Sequence, residues 1–258
     1  MSELIRCERV DAVAVVTLNA EAKRNALSTA MLDAFAEQLA ALSADAECRA
    51  IVLTGSGEHF CAGGDVSAMA TERPLLGSRQ RIDAAHRIVR SICAGPKPVI
   101  AAVEGYAFGA GLSLAAACDY VVASETAKFA AVFAKVGLIP DMGLLWTLPL
   151  RIGMGPAKKM FITARTVEVK EAAALGLVDE VCASGGAREA ALDIARAYAA
   201  APPLVVAMLK GTYAKGCTTL DDALRAEVDI QPMLYLSADH QHAIAAFREK
   251  RQPLFLGI

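Results

Sequence analysis

Two short stretches rich in small residues are suited to hold one negatively charged oxygen with backbone N–H groups. They are Phe60-Cys61-Ala62-Gly63-Gly64-Asp65 and Gly105-Tyr106-Ala107-Phe108-Gly109-Ala110-Gly111. Small side chains let a ligand come close to the main chain. The second stretch runs into a helix-like segment, Leu112 to Cys118, and the start of a helix leaves N–H groups without partners. Two such donors converging on one point make an oxyanion hole, often the largest single term in acyl-group chemistry.

The elements that must position these loops are legible in outline. Val10 to Leu18 is β-branched and apolar and reads as a strand. Ser28 is a helix cap, followed by Leu32, Phe35, Leu39 and Leu42 on one helical face. Ala50 to Thr54 reads as a short buried strand ending in Gly55-Ser56-Gly57. Ile82, Ala85, Ile88, Val89 and Ile92 mark a second amphipathic helix. Pro98 to Val103 and Tyr120 to Ser124 read as strands, with a helix between them from about Ala110. This alternation implies an α/β fold with largely parallel pairing. Ala187 to Ala201 reads as a helix. From about Pro202 the character changes: Pro203 to Tyr213, Leu220 to Met233 and Ala238 to Arg251 all read as helices. We therefore expect an α/β core over 1–200 and a helical region over 201–258.

Composition narrows the function classes. At 258 residues the chain can bury a full core, and 55% hydrophobic content with only 5% aromatic suggests subunit contacts. A net charge of −2 gives no electrostatic case for nucleic acid or an anionic membrane. The charged start Met1 to Arg6 does not read as a signal peptide, and Gly105 to Cys118 is too short to span a bilayer. Seven scattered cysteines without a CxxC pair read as reduced thiols, so a cytoplasmic protein is expected. Cys61 lies inside one loop and reads mainly as core filler.

The two loops, in this order, belong to a longer pattern. It starts at Leu18-Asn19 and Lys23-Arg24-Asn25-Ala26-Leu27-Ser28. It continues through both loops, Cys118-Asp119, Gly137-Leu138-Ile139-Pro140-Asp141-Met142-Gly143 and Ala173 to Val181, and ends at Phe247-Arg248-Glu249-Lys250-Arg251-Gln252-Pro253. Nearly the whole chain thus resembles the crotonase superfamily, the enoyl-CoA hydratase/isomerase family. The resemblance implies a spiral of strand–strand–helix turns with a helical C-terminal region that builds homotrimers, often paired into hexamers. It implies acyl-CoA thioester substrates whose enolate is stabilised by the N–H groups of Gly64 and Ala110, with alanine at 110 in place of the usual glycine. Coenzyme A would arrive as part of the substrate, with no tightly bound cofactor and no metal. Lys23, Arg24 and Ala26 align with the loop that contacts CoA, and Ala62 and Asp65 with residues around its adenine and pantetheine. Gly63, Val66, Tyr106 and Gly109 are expected beside the substrate, as are Ser113, Phe133 and Pro140. Lys250 and Arg251 read chiefly as a solvated helix end.

The acids decide the reaction. Hydration across a conjugated double bond needs carboxylate chemistry, which hydratases of this kind usually supply from two glutamates. Here those positions align with Ser113 and Phe133, and neither side chain can act as an acid or base. Asp141 occupies a position where acids act in enoyl-CoA isomerases, dienoyl-CoA isomerases and the phenylacetate-pathway ring isomerase, and its surroundings look most like the last. One carboxylate suffices for a proton shift, and apolar neighbours such as Phe133 and Trp146 would strengthen it as a base. As a Pro-Asp-x-Gly turn, the same residue could simply cap a helix. The sequence leaves three readings: an enoyl-CoA isomerase, a hydratase or other thioester enzyme of this scaffold, and a non-catalytic oligomer that binds CoA or a partner.

Other motifs are weaker. Gly111-Leu112-Ser113-Leu114-Ala115 nearly matches a nucleophile elbow, but its histidine partners would be His240 or His242 in the helical tail. His240-Gln241-His242 lacks the spacing and companions of a metal site. Gly109-Ala110-Gly111 and Gly55-Ser56-Gly57 lack the further residues of dinucleotide and phosphate loops.

Overall fold

In a computed structural model, which describes residues 4–65 and 75–258, the first strand is in fact two. β1 (Ile5–Val10) and β2 (Val13–Leu18) pair antiparallel, with Val10 opposite Val13 and a two-residue turn between them. Asp11 makes that turn at φ 54, a left-handed conformation that aspartate tolerates. β1 is polar and mostly exposed on the sheet edge, so it lacks the apolar signal that marks β2.

The other expected strands follow, joined at the far edge by a three-residue strand that the sequence does not signal. β3 (Ala50–Gly55), β4 (Val99–Val103), β6 (Tyr120–Ser124) and β9 (Glu180–Cys182) extend the sheet in the order β1-β2-β3-β4-β6-β9, parallel from β2 onward. Side chains alternate across it. Ala14 and Val16 face the main core, while Val13, Val15, Val52, Ile100 and Val122 pack against α7 (Ala187–Ala199). Both faces are covered, as a parallel sheet requires.

A second, thinner layer carries the function. It contains β5 (Tyr106–Phe108), β7 (Lys128–Ala130) and β8 (Thr166–Glu168). Isolated parallel bridges extend it from β5 to Cys61 and from Gly64 to Leu27. Successive turns of the chain therefore add one strand to the large sheet and a fragment to this layer, then a helix. This is the spiral expected.

The helices close the turns. In α1 (Thr29–Ala44) the Ser28 hydroxyl accepts the Met31 N–H at 3.2 Å, and Leu32, Phe35, Leu39 and Leu42 are buried. α2 (Leu75–Ala94) buries Ala84, Ala85, Ile88 and Ile92. Every residue of α3 (Ala110–Ala117) is buried, which fits its apolar composition on all sides. α4 (Leu144–Ile152), α5 (Met154–Thr163) and α6 (Val169–Leu175) follow. The last described elements are α8 (Pro203–Ala214), α9 (Leu220–Tyr235) and α10 (Ala238–Arg248), with no strand between them. α10 stops before Arg251 because Lys250 turns left-handed at φ 54 and the Arg251 N–H closes back on Ala246 O at 3.0 Å. Among the described residues no single helix is long and apolar enough to cross a membrane.

Candidate active site

The 60–65 segment is held on both sides. Toward β5, Cys61 N–H donates to Tyr106 O at 2.8 Å and Phe108 N–H to Cys61 O at 2.9 Å. Toward the 23–27 loop, Leu27 N–H donates to Gly63 O at 2.8 Å, Asp65 N–H to Leu27 O at 3.1 Å and Ala62 N–H to Arg24 O at 2.9 Å. This pattern skips the N–H of Gly64, which has no acceptor among the described residues. Gly63 sits at φ +110, and a Cβ there would lie 3.0 Å from Phe108 O, so the backbone path needs glycine.

The second donor comes from the start of α3. Gly109 is its N-cap, at φ 52 and ψ −119, and Ala110 is its first residue. The Ala110 N–H is one of the orphan donors of a helix start and has no acceptor among the described residues. The two segments touch backbone to backbone: a Cβ on Gly63 would lie 3.7 Å from Ala110 N and 3.7 Å from Gly109 Cα. Both Gly64 and Ala110 line one cavity of about 320 Å³.

Asp141 lines the same cavity. It follows Pro140 on the loop between a 3-10 turn (Val132–Val136) and α4. It does not cap that helix, because the cap position is Gly143. Its carbonyl accepts the Leu144 N–H and the Ser113 hydroxyl, each at 3.1 Å. Its carboxylate Oδ1 is buried and has no hydrogen-bond partner among the described residues. Burial pushes the carboxyl above the usual aspartate range, and the charges of Arg81 and His86 offset part of that rise. The remaining wall is mostly apolar, with Leu27, Leu32, Ile82, Ala85, Phe133 and Met142. A half-buried carboxylate with one buried oxygen, two backbone N–H groups on the same cavity and a largely apolar wall are the parts needed to take a proton from carbon beside a carbonyl and hold the resulting oxyanion.

The family profile of enoyl-CoA hydratase/isomerase matches residues 8–257. The chain belongs to this family. It is 39% identical to the Rhodobacter capsulatus protein named "Probable enoyl-CoA hydratase", over 98% of each chain. It is 34% identical to the 1,2-epoxyphenylacetyl-CoA isomerase of Escherichia coli, over the full length of both. The crystal structure of an enoyl-CoA hydratase from Bacillus anthracis superposes with a TM-score of 0.92 at 31% identity, covering 99% of this chain and 100% of that one. The crotonase fold expected from the sequence is therefore the fold observed.

Within this family member, Ala62, Gly63, Gly64, Gly109, Ala110, Phe133 and Asp141 are brought together at the cavity. Lys23, Arg24, Ala26, Asp65 and Tyr106 are not in its lining. Lys23 Nζ bonds Asp65 Oδ2 at 2.7 Å across the two loops, and Arg24 lies over the Tyr106 ring at 5.9 Å. Tyr106 in turn stacks between His59 and Phe108. Val66 lies outside the described residues. Pro140 precedes Asp141 in the chain and is not in the lining. Ser113, expected beside the substrate, is fully buried behind the wall. That burial also removes it as an exposed serine nucleophile. Trp146 is another correction: it is 43% exposed and faces a different cavity, with Arg151 and Lys210. Burial pushes the Cys61 thiol up to about 12, which leaves it without thiolate chemistry.

Arg81 was missed by motif reading, yet it lines the cavity. The signal was its spacing: Arg81, Ala84, Ala85 and Ile88 share the i, i+3, i+4, i+7 face of α2.

Proposed function

We propose that the chain is an enoyl-CoA isomerase that moves a carbon–carbon double bond with Asp141 as a single proton carrier. The thioester carbonyl oxygen accepts hydrogen bonds from the N–H groups of Gly64 and Ala110. The Asp141 carboxylate takes a proton from C2 of a 3-enoyl thioester, and the electron pair delocalises onto the carbonyl oxygen as a dienolate. The protonated Asp141 then delivers the same proton at C4, leaving a C2–C3 double bond. No water enters the balance. The observation that carries this reading is the buried Oδ1 of Asp141, without a hydrogen-bond partner among the described residues, in the cavity that Gly64 and Ala110 also line.

Hydratase names among the relatives favour water addition as a second reading. Ser113 and Phe133, at the positions where that chemistry usually has its glutamates, weigh against it. Asp141 is the only acidic residue lining the cavity among the described residues. Similarity to the 1,2-epoxyphenylacetyl-CoA isomerase of Escherichia coli supports the same side. Coenzyme A would arrive with the substrate, its phosphates near exposed Arg24 and its pantetheine along Ala26, Ala62 and Asp65. No resident cofactor is needed, and the working form would be a homotrimer or a dimer of trimers.

The test is turnover of 3-enoyl-CoA and 2-enoyl-CoA in deuterated water. We expect double-bond migration or exchange at C2, reduced about 10²–10⁴-fold in Asp141→Asn, the usual loss on removing a general base. Unchanged turnover in Asp141→Asn would overturn the proposal.

A further inference from the structure

We infer that Ser113 is a positioning residue whose hydroxyl ties the main chain of the base loop to the main chain of the oxyanion loop. The inference rests on the isomerase reading, because Asp141 is the group whose place matters.

Ser113 lies one turn into α3 and is wholly buried. Its Oγ is 3.1 Å from the carbonyl oxygen of Asp141 and 3.3 Å from that of Gly109. A hydroxyl has one proton to donate, so the two carbonyls share it. The Gly109 carbonyl and the Ala110 N–H are opposite ends of one planar peptide group. Holding that carbonyl therefore also sets the direction of the oxyanion donor. The same hydroxyl reaches the residue that carries the base. One side chain thus spans both halves of the site without entering the cavity.

The contact is not needed to satisfy the backbone. Gly109 O also accepts the Ser113 N–H at 3.1 Å, and Asp141 O accepts the Leu144 N–H at 3.1 Å. Removing the hydroxyl orphans neither carbonyl. The base loop does need holding. Met142 at φ 50 and Gly143 at φ 73 are consecutive left-handed residues, and such conformations persist where the surroundings enforce them. The Asp141 Oδ1 has no partner among the described residues and the carboxyl's backbone hydrogen bond is to its own residue, so the carboxylate takes its place chiefly from its main chain.

The experiment compares Ser113→Ala, Ser113→Cys and Asp141→Asn with the parent as full chains, using 3-enoyl-CoA. Small misplacements of a catalytic group cost up to about 100-fold, so kcat of Ser113→Ala should fall about 10- to 100-fold. Its KM should stay within about two-fold, because an interaction made only through the transition state leaves ground-state binding alone. The cysteine variant, with a weaker donor at the same place, should fall between, and its kinetics decide the matter if the alanine variant does not fold. A loosened loop also admits water to Asp141. Arg81 and His86 face that carboxyl from α2, and Lys135 of the 3-10 turn lines the same cavity. With less desolvation opposing those cations, the acid limb of the kcat profile should move to lower pH. A parent-like kcat in Ser113→Ala beside an inactive Asp141→Asn would overturn this inference alone. So would a uniform loss with an unshifted acid limb, which marks a merely structural role. An active Asp141→Asn would overturn the isomerase reading and this inference together.

Discussion

Asp141 stands where its charge is costly, and that has a consequence for stability separate from its chemistry. Burial holds its folded carboxyl above the unfolded value, so ionisation weakens the fold. The penalty is absent below the unfolded pKa of about 3.9 and complete above the raised folded value. Asp141→Asn removes the charge and keeps the shape. Its thermal midpoint at neutral pH should therefore equal or exceed the parent's, and the gain should vanish as pH falls through the ordinary carboxylate range. Calorimetry from about pH 4 to pH 8 measures this; a parent more stable than Asp141→Asn throughout would show that the carboxylate is not desolvated. At this scale the sequence was most informative where a residue type restricts chemistry. A carboxylate at 141, and none at 113 or 133, could be read directly. The role of Ser113 could not, because a hydroxyl bonding two carbonyls leaves no spacing signature. Arg81 was legible only as a cation on an otherwise apolar helical face.

At the scale of elements, the site depends on how closely α3 packs against the 60–65 segment. A Cβ on Gly111 would lie 2.2 Å from Cys61 O and 2.9 Å from Cys61 Cβ. Gly111→Ala must therefore push α3 away from that segment and separate the two N–H donors. Overpacking of this kind costs about 1–3 kcal/mol, and activity should fall together with the urea midpoint. Gly155→Ala is the control: nothing lies within 4 Å of the added carbon, and α5 should gain up to about 1 kcal/mol in helix propensity. Equal stability in the two variants would mean that the close approach is not structural. Long elements with a clear period, such as α1 and the β3 and β4 strands, were legible from sequence. The three-residue strands β5, β7 and β8 were not, because a strand so short carries no readable alternation. Their identity comes from main-chain pairing across the second layer, which joins segments far apart in sequence.

At the scale of the whole molecule, the helical region leaves apolar side chains of α9 exposed, Leu220, Leu224 and Val228 among them. α9 runs for 16 residues, yet none of them is buried against the rest of the chain. Helices in proteins draw most of their stability from packing an apolar face, so one this long needs another surface. Leu236 at the α9–α10 junction and Phe247 near the end of α10 are also exposed, at 84% and 85%. We expect sedimentation to give a homotrimer or a dimer of trimers; a strict monomer at micromolar concentration would contradict this. The assembly should also matter to the cavity. The Lys210 Nζ of α8 donates to Ile92 O of α2 at 2.7 Å and pairs with Asp119, fastening the helical region to the helix that carries Arg81. A change that breaks the subunit contact should therefore loosen α2 as well. In Val228→Glu, which puts a charge on exposed α9, dissociation should be accompanied by lower kcat and a lower thermal midpoint, because an apolar contact cannot accommodate an unpaired charge. A dissociated Val228→Glu with full activity would show that each chain holds a self-sufficient site.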